Sequence, residues 1–430
     1  MNHTIKNRIV RWAVVLMLPI CLSSCGVDRW AGYAAETRTD RWIDSLMRER
    51  YYWYDEIPHF NDLNYFQAPA TFFKSLLSAD DKISSIDSLV SVSRSVDDTE
   101  YSYGLRYAVT TPLYNDTACF ARIAYVAHDS PAESAGLQRG DWIMEMDGEP
   151  ITQKNYARLN GGAGMTLTVG SYDLETDSVI ARDTPVQLGA ARIIDDNPVY
   201  YNKVYERAGK RIGYLVYNRF RSGTDDNATD RPYDRALLEA SKALAGDGAG
   251  DEFVLDLRYN EGTDLTSAEL LCTLLVPADA LGKVMGYARY NDRIGTTTFN
   301  FDPTLIAGGE NLHVHTLYVL TTTRTAAASE MLINCLKPYM TVVLIGQKTA
   351  GKNMVTESYA SRELMIRINP VVCRLENSEN NADYTTGFTP DYLVDENNYA
   401  ANYLPFGDEQ EALLGTALSI IDGTYNTGDE

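Results

Sequence analysis

Lys352 stands in a glycine-flanked turn, Thr349-Ala-Gly-Lys, just after a β-branched run from Thr341 to Ile345 that breaks at Gly346. A lysine amine works as a base when partial burial lowers its pKa and leaves some of it neutral, and it then needs a nucleophile to deprotonate. Twenty-five residues upstream of Lys352 lies Ala327, inside Thr325-Ala326-Ala327-Ala328-Ser329-Glu330. The elements around these two positions bring them together. An apolar run from Thr316 to Thr321 leads through a Thr/Arg turn into a helical pattern from Ala326 to Lys337, which Pro338 ends, and the Thr341 run follows. Strand, helix, strand is the unit of a parallel crossover. Its helix N-terminus and the loop after its second strand emerge on one edge of the sheet, where open α/β sheets bind ligands. The start of the helix near Ala327 therefore meets Lys352.

This segment resembles the C-terminal-processing, or tail-specific, peptidase family, whose nucleophile is third in a T-A-S-A-S-E motif with its general-base lysine in a G-K loop 25 residues later. The resemblance puts Ala327, a bare methyl, in the nucleophile slot and makes Lys352 the base. It makes Thr356, four positions on, the lysine orienter, while the adjacent Glu357 works against a neutral amine. Ser329 is the substitute hydroxyl, but on a helix it sits about 200° around from position 327, and Thr325 is a weaker substitute. A second motif, Asp256-Leu-Arg-Tyr-Asn-Glu-Gly-Thr, resembles the family's D-L-R-x-N-x-G-G turn. By that resemblance the amides of Gly262 and Ala328 form an oxyanion hole, each donor being worth about 10²- to 10³-fold in rate. Thr263 replaces the second glycine, which puts the backbone torsions of the turn in question. Asp256 and Asn260 are read as braces.

Between about Tyr101 and Gln187 the pattern shifts to short strands and turns. Ser130-Pro-Ala-Glu-Ser-Ala-Gly-Leu-Gln-Arg-Gly-Asp, followed by Trp142 to Met146 and the Asp147-Gly148 turn, resembles a PDZ domain. Pro131 suits the first position of a short helix, Gly136 its cap and Asp-Gly a tight hairpin. PDZ modules take an extended peptide onto a sheet edge and capture its terminal carboxylate with backbone amides. The resemblance places that loop at Tyr103, Gly104 and Leu105, with Arg106 next.

Ahead of both regions, Lys6, Arg8 and Arg11 precede an apolar run from Trp12 to Leu22, too short to span a bilayer but suited to a signal-peptide core. It ends in Leu22-Ser23-Ser24-Cys25, which resembles a bacterial lipobox, with Cys25 as the lipid anchor. The expected organisation is a signal peptide (1–24), a lipidated tether (25–37), an N-terminal helical region (38–97), a PDZ-like β-domain (98–190), an α/β peptidase domain (191–400) and a C-terminal helix with an acidic tail (401–430). The fold class is α/β multidomain with a mainly parallel sheet in the peptidase domain, by resemblance a crotonase- or ClpP-like core. In the helical region Trp42, Ile43, Leu46 and Tyr51 share a face, Asp40 serves as a cap, and a second helix runs from Ala70 to Leu77. The stretch from Glu376 to Thr386 reads as an exposed loop.

Composition narrows the function. With 59 acidic against 38 basic residues and a net charge of −21, nucleic acid and anionic lipid surfaces are poor partners. The five histidines, at 3, 59, 128, 313 and 315, form no triad or zinc motif, His313 and His315 being read as alternating on a strand face. The cysteines past Cys25, at 119, 272, 335 and 373, show no metal spacing, and a disulfide among them stays open. No metal or cofactor is expected. The resemblance implies a bacterial cell-envelope lipoprotein of the kind found in Bacteroidetes, periplasmic or surface-exposed, with a polypeptide partner bound through its C-terminus. Two readings stand: a Ser/Lys peptidase, whose native form carries serine if Ala327 is an engineered inactivation, or a pseudoprotease that binds peptide C-termini without cutting them.

Overall fold

In the computed structural model of the chain, the described residues are 33–89, 101–110, 119–223, 230–245 and 252–426. Cys25, the apolar run before it and the end of the acidic tail lie outside them. The described chain forms two compact units: one up to Leu89 together with Thr356–Val371, the other from Tyr101 to Val355 and from Val372 onward.

The first unit holds helices Arg38–Arg50 and Pro69–Ser75, the latter with proline in its first turn. Ile43, Met47, Phe72 and Phe73 are buried. The unit is not purely helical. Ser85–Ser88 pairs antiparallel with Ile366–Asn369, which pairs with Tyr359–Ser361, a hairpin from far along the chain. Asp40 does not cap its helix. Thr37 occupies the cap position, and the Asp40 carboxylate is buried with no hydrogen-bond partner among the described residues. Burial pushes its pKa up to about 6.

The second unit begins with the β-domain. Leu105–Thr110 is the edge of a sheet continued by Phe120–Val126, Trp142–Met146, Met165–Asp173 and Ser178–Ala181. Asp147 and Gly148 both take positive φ, 53° and 78°, as a two-residue hairpin turn demands. Pro131 opens the short helix Pro131–Ser134, capped by the Ser130 hydroxyl.

The remainder is built on six strands: β1 Val199–Arg207, β2 Lys210–Tyr217, β3 Glu252–Asp256, β4 Thr316–Thr321, β5 Thr341–Gly346 and β6 Tyr392–Leu393. Their order across the sheet is β6-β5-β4-β3-β2-β1. Only β1 is antiparallel to its neighbour. β3 and β4 are almost wholly buried apolar runs, as strands covered on both faces must be. The helices are α1 Pro232–Ala245, α2 Leu265–Leu275 and α3 Ala328–Leu336, and every residue of α3 is buried. A C-terminal helix, Ala412–Ile421, sets Leu413, Leu414, Ala417 and Leu418 into the core beside Val216, Val254 and Leu320.

Two local expectations change. His313 has a positive φ of 48° and precedes β4, so it does not alternate with His315 on a strand face. The exposed loop expected from Glu376 to Thr386 is shorter: Glu376 and Asn377 end the strand Val371–Asn377, and the largely exposed loop after them buries Ala382 and Tyr384. Cys119, Cys272, Cys335 and Cys373 are buried, and no disulfide joins any two of them.

Candidate active site

The turn between β4 and α3 is held from beneath by the Asp256–Gly262 segment. Asn260 does most of the bracing. Its carbonyl accepts the Ala326 amide at 3.1 Å and the Ser329 hydroxyl at 3.0 Å, and its side-chain NH2 donates to the Tyr217 carbonyl at 2.8 Å. Thr325 is fixed as well, its hydroxyl donating to the Leu257 carbonyl at 2.9 Å. Both substitute hydroxyls, Ser329 and Thr325, are therefore fully buried and committed to backbone carbonyls. Neither stands in for a nucleophile.

Ala327 has φ 53° and ψ −109°, torsions an L-residue adopts only at a cost of about 1–3 kcal/mol. A strained residue between a strand and a helix is the geometry of a nucleophile elbow, which pushes one side chain out of a closely packed turn. Ala326, Ala328, Ser329 and Glu330 are buried, whereas Ala327 is half-exposed. The elbow is formed, and it presents a methyl.

Glu330, which the sequence reading passed over although it ends the Thr325–Glu330 motif, joins the two halves of the site. Its Oε2 accepts the Ala327 amide at 3.2 Å and the Lys352 amide at 2.7 Å. Its Oε1 accepts the Gly351 amide at 2.7 Å and the Thr349 hydroxyl at 2.6 Å. Two amides on one oxygen atom are neighbours, so the backbones of positions 327 and 352 lie side by side. Gly351, at φ 88°, must be glycine because a Cβ there would lie 2.6 Å from the Gly387 amide nitrogen. This clamp holds the loop by its backbone and leaves the Lys352 side chain exposed rather than partly buried. Thr356 is exposed at the end of the strand Met354–Thr356, where the chain passes into the first unit.

The expected oxyanion hole is closed. The Gly262 amide donates to Asn260 Oδ1 at 3.0 Å, and the Ala328 amide donates to the Gly262 carbonyl at 3.2 Å. Glu261, between these residues, pairs with Arg324 at 2.8 Å. Partial burial acts to raise its pKa, but that hydrogen bond and the charges of Arg324, Arg106 and Lys352 hold it below the usual carboxylate range.

Behind the turn lies a buried ionic cluster that ties the β-domain to the six-stranded domain, and no motif announced it beyond the arginine of Asp256-Leu-Arg. Arg258 donates to Asp256 at 2.9 Å, to Glu396 at 2.9 Å and to Glu411 at 2.7 Å. Arg139, from the β-domain, donates to Glu396 at 2.8 Å and to the Tyr259 hydroxyl at 2.8 Å, and the Tyr259 hydroxyl donates to Glu396. Burial would raise the Glu396 pKa, yet the two guanidiniums hold it at about 2. The residue next to Asn260 is thus locked to the β-domain.

At the β-domain edge, Gly104 has φ 80° and room only for glycine, since a Cβ would lie 2.3 Å from that of Ser130. Its amide is taken by the Ser102 hydroxyl at 3.0 Å. Tyr103 is fully buried in the β-domain core and is not a peptide-facing residue. Leu105 starts the strand that is the sheet edge among the described residues, and it is half-buried. Tyr107 on that strand donates to the Tyr156 carbonyl at 3.1 Å and to Asn160 at 2.8 Å, bridging to the facing turn Tyr156–Asn160.

Comparisons with known proteins find matches along most of the chain. Residues 211–394 match peptidase family S41, residues 38–103 the peptidase S41 N-terminal domain and residues 122–159 the PDZ domain. A Bacteroides fragilis crystal structure assigned to the S41 proteases is 42% identical, with a TM-score of 0.81 over 90% of this chain and 98% of that one. The chain belongs to peptidase family S41. A photosystem II D1 C-terminal processing protease, 18% identical with a TM-score of 0.51 over 87% of this chain and 96% of its own, shares the fold. Carboxyl-terminal-processing proteases of Picosynechococcus and Synechocystis are 27% and 26% identical over 68% and 62% of this chain. The chain spans 64% and 57% of the length of those curated relatives. As an S41 chain it combines a formed elbow, a clamped lysine loop and a PDZ domain with no hydroxyl at position 327.

Proposed function

We propose that this S41 chain, as its sequence stands, binds polypeptide C-termini through its PDZ domain without cleaving them. The observation that carries this reading is the methyl at the elbow: Ala327 holds the strained torsions of a nucleophile position while Ser329 and Thr325, the nearest hydroxyls in sequence, are buried on backbone carbonyls. The Leu105–Thr110 strand is the edge of its sheet among the described residues, the position that strand addition needs. Cys25, lipidated, would hold the protein at the bacterial cell envelope, and no helix among the described residues is long and apolar enough to cross a membrane.

A second reading, a Ser/Lys peptidase of the C-terminal-processing type when serine occupies position 327, is favoured by the Glu330 clamp. A carboxylate that holds the Ala327, Gly351 and Lys352 amides together keeps the lysine loop beside the helix start, the arrangement that a nucleophile and its base need. In that form serine would attack the substrate carbonyl and Lys352 would take its proton. The deciding experiment incubates the chain and its Ala327→Ser variant with an unstructured protein, and titrates both with peptides ending in a free carboxylate or an amide. The expected result is binding of the carboxylate peptide by both and turnover by Ala327→Ser alone. Cleavage by the unsubstituted chain that disappears on Ser329→Ala would refute the non-cleaving reading.

A further inference from the structure

The closed state of the oxyanion turn points to a lock that lies outside both the elbow and the lysine loop. The Ala328 amide is the donor an acyl-transfer site would aim at a developing oxyanion, and here the Gly262 carbonyl occupies it at 3.2 Å. A peptide carbonyl oxygen is a neutral stand-in for the anion. The Gly262 amide cannot serve in its place, because it is spent on Asn260 Oδ1, which also accepts the Phe220 amide at 3.2 Å.

Turning the single Gly262–Thr263 peptide over would change this. The carbonyl would swing out, and the Thr263 N–H would enter the same space beside the Ala328 N–H. Two donors would then converge with no acceptor between them, which is an oxyanion hole. The flip reverses ψ at 262 and φ at 263. Position 262 tolerates it and must be glycine, since a Cβ there would lie 2.2 Å from the Phe220 nitrogen. Position 263 resists it: Thr263 is outside the positive-φ region now, and the flip drives its φ positive, where a β-branched L-residue is disfavoured. The next residue is fixed, because the Asp264 side chain caps α2 through the Thr266 and Ser267 amides, so 263 must absorb the change. Packing does not explain the threonine, whose side chain is exposed.

We propose that the Gly262–Thr263 peptide is a conformational lock: its carbonyl fills the place of the oxyanion, and Thr263 is the positioning residue that keeps it there. The opened hole is made by the amides of residues 263 and 328 rather than of Gly262 and Ala328. The proposal rests on the acyl-transfer reading of the site, but its first test does not.

In the full chain labelled with 15N-alanine, hydrogen exchange of the Ala328 amide reports opening directly. Thr263→Gly is expected to speed that exchange by about tenfold, the ratio that removing a left-handed penalty implies. Thr263→Ala, which also shortens the side chain but keeps an L-centre, should stay close to the parent. Unchanged exchange in Thr263→Gly overturns the lock whatever the activity. In the Ala327→Ser background, adding Thr263→Gly should raise kcat about tenfold with KM unchanged, because the donors act on the transition state, and inhibition by a peptidyl boronic acid should tighten to match. A merely structural role for Thr263 would move stability and leave that split untouched. Faster exchange with equal kcat in the two active serine variants overturns the link to the oxyanion. Faster exchange with both variants inert and unlabelled by a fluorophosphonate supports the flip and overturns the acyl-transfer reading instead.

Discussion

Replacing Glu396 by glutamine keeps the shape of the buried cluster and removes one charge that both Arg139 and Arg258 use. The carboxyl has an ordinary pKa of 4.5 and is held at about 2 in the folded protein. At about 1.4 kcal/mol per decade of proton concentration, that difference is worth roughly 3 kcal/mol of stability at neutral pH. Breaking a buried pair by removing one partner costs about 3–5 kcal/mol, which is the same range. The sign follows from the direction. A carboxyl depressed in the folded state stabilises fully above pH 4.5 and loses that contribution as pH falls toward 2. Glu396→Gln should therefore destabilise the second unit by about 3 kcal/mol at pH 7 and by only about half as much at pH 3, where the unfolded chain already holds the proton. Urea unfolding of the two proteins at both pH values gives the comparison. An equal penalty at pH 7 and pH 3, or a larger one in acid, would refute the electrostatic account and leave Glu396 as a packing residue.

Two further outcomes follow from the same structure. Ala327→Gly should stabilise the chain by about 1 kcal/mol in chemical denaturation, because relief of strain at φ 53° outweighs the added freedom of the unfolded chain; a destabilised variant would show that the elbow is unstrained. Cys25→Ala should abolish incorporation of a labelled fatty acid and move the protein out of the membrane fraction, whereas continued membrane fractionation would remove the lipid-anchor reading.

Residue chemistry alone set much of this protein. The spacing of Ala327 and Lys352, the alternation of strands with helices, and the Pro131, Asp147 and Gly148 signals are local, so they survive in a linear reading and locate the S41 and PDZ segments. The absence of a hydroxyl at 327 is a matter of covalent identity and needs no coordinates. Tertiary structure decided everything that depends on which groups far apart in the chain share one acceptor or one field. Glu330 carries no label as a clamp until the Thr349–Lys352 loop is folded against it. Arg139, Glu396 and Glu411 come from separate segments, and only their joint burial turns ordinary surface residue types into a clasp. The hairpin Tyr359–Asn369 pairs with Ser85–Ser88 across more than half the chain, a register no local pattern encodes. The oxyanion turn shows the limit most sharply: its motif names the donors, but a peptide unit has two faces, and the surrounding hydrogen bonds choose which one looks into the site.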